Sequence, residues 1–175
     1  DPAPAGVRHF VDRYGDKVAG WWFDGAYEHV NFNEPIARIY ADAVKHGNPH
    51  AIMSFNPGIK VIHYTKVADY TAGELRKPLV EVPASRWLKG SQWHALTFIG
   101  SNWSQRDTRY SDEQWITWLK AVVAHQGVVT LDMGPNWDPQ AGPIGSLSET
   151  QIKQVKAIKA ACQPLCVKTQ RICQE

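Results

Sequence analysis

The 175-residue chain carries 19 basic and 17 acidic residues, a net charge of +2, with the signs interspersed and no run of either. That balance leaves no electrostatic footprint for nucleic acid or a membrane, and no apolar stretch approaches the roughly 20 residues of a spanning helix. The length suits one domain with a sizeable core, and eight Trp, six Tyr and five Phe suit either that core or a carbohydrate, whose apolar ring faces stack on aromatic side chains.

In chain order, Asp1-Pro2-Ala3-Pro4 does not read as a signal peptide. Val7, Phe10, Val11 and Tyr14 recur at helical spacing and Gly15 closes that run. Val18-Ala19-Gly20-Trp21-Trp22-Phe23 then reads as a strand buried on both faces, with Asp24 at its C-terminal end. In α/β architectures that end gathers catalytic groups, because the following loops form a cleft there; Asp before Gly25 is also a common turn pair. Asn33 caps a helix with Pro35 in its first turn, and Ile36, Ile39, Tyr40, Ala43 and Val44 form its apolar face. Gly47-Asn48-Pro49 stops it, and His50 to Phe55 follows as a strand ending in Asn56-Pro57-Gly58, so residues 18 to 56 predict a βαβ unit.

From Ile59 to Lys89 the periodicity fades, and long aperiodic segments inside a compact domain are usually functional or disordered. Trp93 to Ile99 predicts a third strand. Ser111-Asp112-Glu113-Gln114 is a capping box ahead of Trp115, Trp118, Leu119, Val122 and Val123, and Gln126-Gly127 closes that helix. Val128 to Met133 reads as a fourth buried strand, and Ser148-Glu149-Thr150-Gln151 opens a last helix over Ile152, Val155 and Ile158. Strand starts at 18, 51, 93 and 127 are spaced like repeated βα units. The tail after Ala161 shows no period. Its Cys162, Cys166 and Cys173 lack a zinc pattern and predict one bridge and one unpaired thiol in an oxidising compartment.

Four segments in order resemble the α-L-fucosidases of glycoside hydrolase family 29. Trp21-Trp22-Phe23-Asp24-Gly25 resembles the nucleophile motif, Asp69-Tyr70-Thr71-Ala72-Gly73-Glu74 an acidic segment ending in Glu, Gly100-Ser101-Asn102-Trp103-Ser104 a Trp-containing loop, and Gly127 to Pro135 a late strand. The resemblance implies the second half of a (β/α)8 barrel, about four βα units over residues 1–161 followed by the tail at 162–175, since a whole barrel takes about 250 residues. It implies a retaining exo-glycosidase that releases terminal α-linked fucose from an oligosaccharide or glycoconjugate. No cofactor or metal is implied, oligomers of the parent protein are compatible with it, and a secreted or lysosome-like location is expected.

Retention needs one ionised carboxylate and one protonated carboxyl group. By resemblance Asp24 is the nucleophile and Glu74 the acid/base, with Glu81 in reserve. Some members place a Glu after the Trp of the next segment, where this chain has Trp93-His94. Trp22, Trp93 and Trp103 are expected to wall the site, Trp103 facing the methyl group of the 6-deoxy sugar. Asn56 stands where some members carry a sugar-binding Arg, so Trp22, Asn56, Trp93, His94 and Trp103 form the expected binding set. Trp21, Trp115 and Trp118 are read as packing. The rival expectation is a degenerate barrel that binds carbohydrate without cleaving it, or an inactive fragment.

Overall fold

The computed structural model describes the backbone of residues 5–171 and the side chains of residues 6–162. The chain forms two compact units, Asp1–Glu74 with Trp87–His94, and Leu75–Arg86 with Ala95–Glu175.

In the first unit, strand β1 (Gly20–Phe23) pairs in parallel with β2 (Ile52–Phe55), Trp22 opposite Ser54 and Phe23 opposite Phe55. Helix α2 (Glu34–Gly47) makes the crossover, completing the expected βαβ unit, and the Asn33 side chain accepts the Ile36 N–H at 3.2 Å as its N-cap. Alternation along the strands sorts their side chains into two faces. Trp21, Phe23, Met53 and Phe55 pack on Ala37, Ala41 and Val44 of α2, which leaves Trp22, Ser54 and the residues just past the strand ends, Asp24 and Asn56, for the other face. The buried stripe of α2 is Ala37, Ala41, Ala43 and Val44, and Ile36, Ile39 and Tyr40 of the expected face are only half-buried. Bulky rings already fill the sheet side, so the helix face against them has to be small.

Helix α1 (Ala5–Tyr14) packs on α2 through Val11, which is 2% exposed. A Cβ on Gly47 would stand 2.3 Å from the Val11 side chain, so glycine sets that close approach. Phe10 and Tyr14, expected on the buried face, stack on each other and stay exposed. Strand β1 is half-buried where burial on both faces was expected, because β2 flanks one edge and no strand of the described residues pairs with the other.

The aperiodic segment is ordered without a regular ladder. It holds β3 (Gly73–Glu74) and one strand of a hairpin, β4 (Trp87–Leu88), which pairs with β5 (Ser91–Gln92). Asp69 exchanges two bonds with the Met53 main chain: its carboxylate accepts the Met53 N–H and its own N–H donates to the Met53 carbonyl, both at 2.9 Å. The buried Ser91 hydroxyl donates to the Ala68 carbonyl at 2.7 Å, and the Thr71 hydroxyl donates to the His94 carbonyl while accepting the His94 N–H.

In the second unit, β6 (His94–Phe98, from Ala95 onward) lies beside β7 (Val128–Asp132), with α3 (Asp112–Ala124) between them in sequence. Both halves of the Ser111–Gln114 capping box form. Trp115, Trp118, Leu119 and Val122 of α3 are buried, as packing residues are. Strand β7 is half-exposed where a buried strand was expected, Val128 at 47%, since it too has one unpaired edge among the described residues. Helix α4 (Glu149–Arg171) runs past Ala161; no glycine follows to end it, and Pro164 alone does not. Cys162 is buried, whereas the side chains of Cys166 and Cys173, and with them the expected bridge, lie outside the described residues.

Candidate active site

Asp24 follows β1 directly and is solvent-exposed. Its Oδ1 accepts two hydrogen bonds, from the Gly25 N–H at 2.8 Å and from the Asn56 side-chain amide at 2.7 Å. The first partner is the next residue in the chain, and the second is placed by the parallel register: Asn56 directly follows β2, and its own N–H donates to the Phe23 carbonyl at 2.8 Å. Two donors on one oxygen fix the orientation of the carboxylate.

Asn56 is 0% exposed, and its Oδ1 accepts the Gly58 N–H at 2.8 Å. The Gly58 carbonyl in turn accepts the Glu74 N–H at 2.9 Å. A continuous chain of hydrogen bonds therefore runs from the Asp24 carboxylate through Asn56 and Gly58 to the main chain of Glu74. The glycine before Glu74 has a steric cause, since a Cβ on Gly73 would lie 2.6 Å from the Lys60 and Val61 main chain. The two carboxylates share a neighbour: both raise the pKa of the Tyr27 phenol, after burial as the larger cause.

The same face of the strand pair carries an aromatic trio. Trp22 meets the His94 ring edge-on at 5.7 Å between centroids, Tyr70 meets His94 at 5.3 Å, and Trp22 lies 6.4 Å from Tyr70. Tyr70 donates its hydroxyl to the Trp21 carbonyl at 2.8 Å, and burial, with Asp69 second, pushes its pKa to about 12. His94 holds Nδ1 2.9 Å from the Thr71 carbonyl, which fixes the proton on that nitrogen. Burial lowers the His94 pKa against the opposing pull of that hydrogen bond.

Of the other expected residues, Trp93 is buried at 7% exposure. Trp103 belongs to the second unit and tilts against Phe98 at 4.6 Å between centroids. Glu81 also belongs there; it is exposed, and its carbonyl accepts the Trp118 indole N–H at 2.8 Å. Tyr27 and Tyr70 were not among the expected site residues. Tyr70 lies inside the quoted acidic segment and Tyr27 three residues past Asp24, so position was the signal available for both.

No family model matches this sequence, and no curated protein does. Among solved structures the chain is similar to a histidine-to-glutamine variant of the endo-fucoidan hydrolase MfFcnA4 from glycoside hydrolase family 107, with a TM-score of 0.73 at 17% identity over 89% of this chain and 29% of that one. It is also similar to the endo-fucoidan hydrolase MfFcnA9 of the same family (TM-score 0.70, 18% identity, 89% and 35% covered). A third is the α-L-fucosidase AlfC from Lactobacillus casei (TM-score 0.59, 16% identity, 89% and 42% covered). At such identities the likeness shows the fold alone: a mixed α/β chain that shares its fold with part of each of these proteins. The chain spans 29% to 42% of the length of these proteins.

Proposed function

We propose that this chain is part of a retaining glycoside hydrolase that acts on fucose-containing glycans, related to the α-L-fucosidases of family 29 and built on a (β/α)8 barrel. The observation that carries the reading is the hydrogen-bond chain from Asp24 through Asn56 and Gly58 to Glu74, which ties two carboxylate-bearing segments into one rigid frame. Asp24, its carboxylate fixed at a strand end, attacks the anomeric carbon. Glu74 protonates the leaving oxygen and later deprotonates the water that hydrolyses the glycosyl-enzyme. Trp22 supplies an apolar wall beside Asp24, and Asn56 orients the nucleophile, with its amide occupied inside the protein. The proteins of similar fold are named for fucoidan and for α-L-fucose linkages, which supports the choice of sugar.

A second reading of the proton donor rests on His94, a titratable group on the Asp24 face with its ring fixed by Thr71. Its lowered pKa keeps the imidazole neutral near pH 7, the form suited to accept a proton, so Glu74 is the better acid. The test uses the full-length protein that contains this chain and aryl α-L-fucosides of graded leaving-group ability, with an aryl β-D-galactoside and fucoidan beside them. Glu74→Ala should keep most of its kcat/KM, which reports the first step, on the best leaving group and lose it progressively on poorer ones. If His94→Gln gives that pattern and Glu74→Ala does not, the acid is His94. Turnover of fucoidan without release from the aryl fucosides would replace the exo reading with an endo one.

A further inference from the structure

The loop after β1 brings one more polar group to this frame. Tyr27 is held by its main chain, its N–H donating to the Gly25 carbonyl at 2.9 Å and its carbonyl accepting from Val30 and Phe32. Ala26 beside it is 3% exposed and anchors the turn. The Tyr27 ring is stacked on His29, 5.2 Å between centroids and 16° from parallel. Its edge faces Gly58: a Cβ built there would stand 3.9 Å from Tyr27 Cε1. Gly58 is the residue through which the Asp24–Glu74 hydrogen-bond chain passes, so the ring borders that chain at Gly58. Among the described residues the Tyr27 hydroxyl makes no hydrogen bond, although two carboxylates act on it electrostatically. Burial and, after it, those charges favour the protonated phenol, a donor without an acceptor among the described residues.

We propose that Tyr27 is a further substrate-contacting residue, its O–H donating to a hydroxyl of the glycosyl unit held between Asp24 and Glu74, with His29 keeping the ring in place. The assignment rests on the site reading given above. A donor there supplements the two carboxylates, which at the start of the reaction offer the sugar one ionised acceptor and one proton committed to the leaving oxygen.

The test is Tyr27→Phe in the full-length protein, which removes one oxygen and no packing. The melting temperature should match that of the unsubstituted protein, since the hydroxyl satisfies nothing internal. On an aryl α-L-fucoside, kcat/KM should fall about tenfold to a hundredfold, the usual effect of losing one such hydrogen bond. Across monodeoxy analogues of the sugar, the loss should vanish for the one analogue that lacks the partner hydroxyl and persist for the others. His29→Ala should lose less, and nothing further when combined with Tyr27→Phe. An equal loss on every analogue overturns the contact. No loss on any of them, with Asp24→Gly inactive, overturns this inference and leaves the site reading standing. Turnover surviving in Asp24→Gly overturns both.

Discussion

Strands β1 and β7 end alike. Phe23 is followed by Asp24 and Gly25; Asp132 closes β7 two residues before Gly134. In each case the aspartate ends an apolar run with a half-exposed face. Their partners differ. Asp132 accepts the Ser104 N–H at 3.2 Å, and Gly134 lies so close under the Ser104 and Gln105 carbonyls that a Cβ would come within 2.4 Å of them, so that carboxylate ties down a loop. Asp24 is held by a buried side-chain amide whose other end leads to a second carboxylate-bearing segment. Position at a strand end is therefore shared, and what marks Asp24 is the residue that the neighbouring strand places beside it.

The largest expected effect separates the two aspartates directly. Asp24→Gly should cut turnover by about 10⁴-fold or more, as loss of a nucleophile does, whereas Asp132→Asn, whose side-chain oxygen can still accept from Ser104, should stay within about twofold. Initial rates on an aryl fucoside measure both, and comparable losses would erase the contrast. Asn56 comes next. Asn56→Ala should lower kcat by about 10²-fold through a misplaced nucleophile. Asn56→Asp adds a like charge beside Asp24, which raises the pKa of the pair. Because the nucleophile must be ionised, the acid limb of the kcat/KM profile should move to higher pH; an unmoved limb would deny Asn56 its positioning role.

A pair of glycines gives a smaller test. Gly73→Ala and Gly134→Ala each force a Cβ into main chain, and each should cost about 1–3 kcal/mol, read as a lower melting temperature. Only Gly73→Ala should also make the rate more sensitive to the leaving group, since it displaces Glu74. The smallest effect is in stability against pH. Burial lowers the folded-state pKa of His94 below its ordinary 6.5, so the unfolded chain binds the proton first. Stability contributed above pH 6.5 is then lost as pH falls toward the folded-state value. Melting temperatures from pH 7.5 downward should decline less steeply in His94→Gln than in the unsubstituted protein.

Much of the frame was legible in the residues. The Asn33 cap and the Ser111–Gln114 box are local signals and formed as read, while the apolar run into Asp24 formed a strand that is shorter, Gly20–Phe23, and half-buried. What was not legible depends on partners distant in sequence. Asn56 reads as a turn residue, and its bond to Asp24, 32 positions away, exists only once β1 and β2 pair in register. Residues 59–89 lack periodicity because side-chain bonds from Asp69, Thr71 and Ser91 to the main chain order them, and such bonds impose no spacing. The half-exposure of β1 and β7 follows from edges left unpaired among the described residues, which an apolar run cannot announce.

The assignment of Asp24 as the attacking carboxylate is tested most directly by azide rescue of Asp24→Gly in the full-length protein. With an α-linked aryl fucoside as substrate, azide filling the vacated space attacks from the nucleophile's side and should yield the β-fucosyl azide. Glu74→Ala, whose glycosyl-enzyme still forms from an activated substrate, should instead give the α-azide after a second inversion. Nuclear magnetic resonance reads the two configurations from the anomeric coupling. Opposite products from the two variants are the predicted result; an α-azide from Asp24→Gly, or normal turnover of that variant without azide, would contradict it.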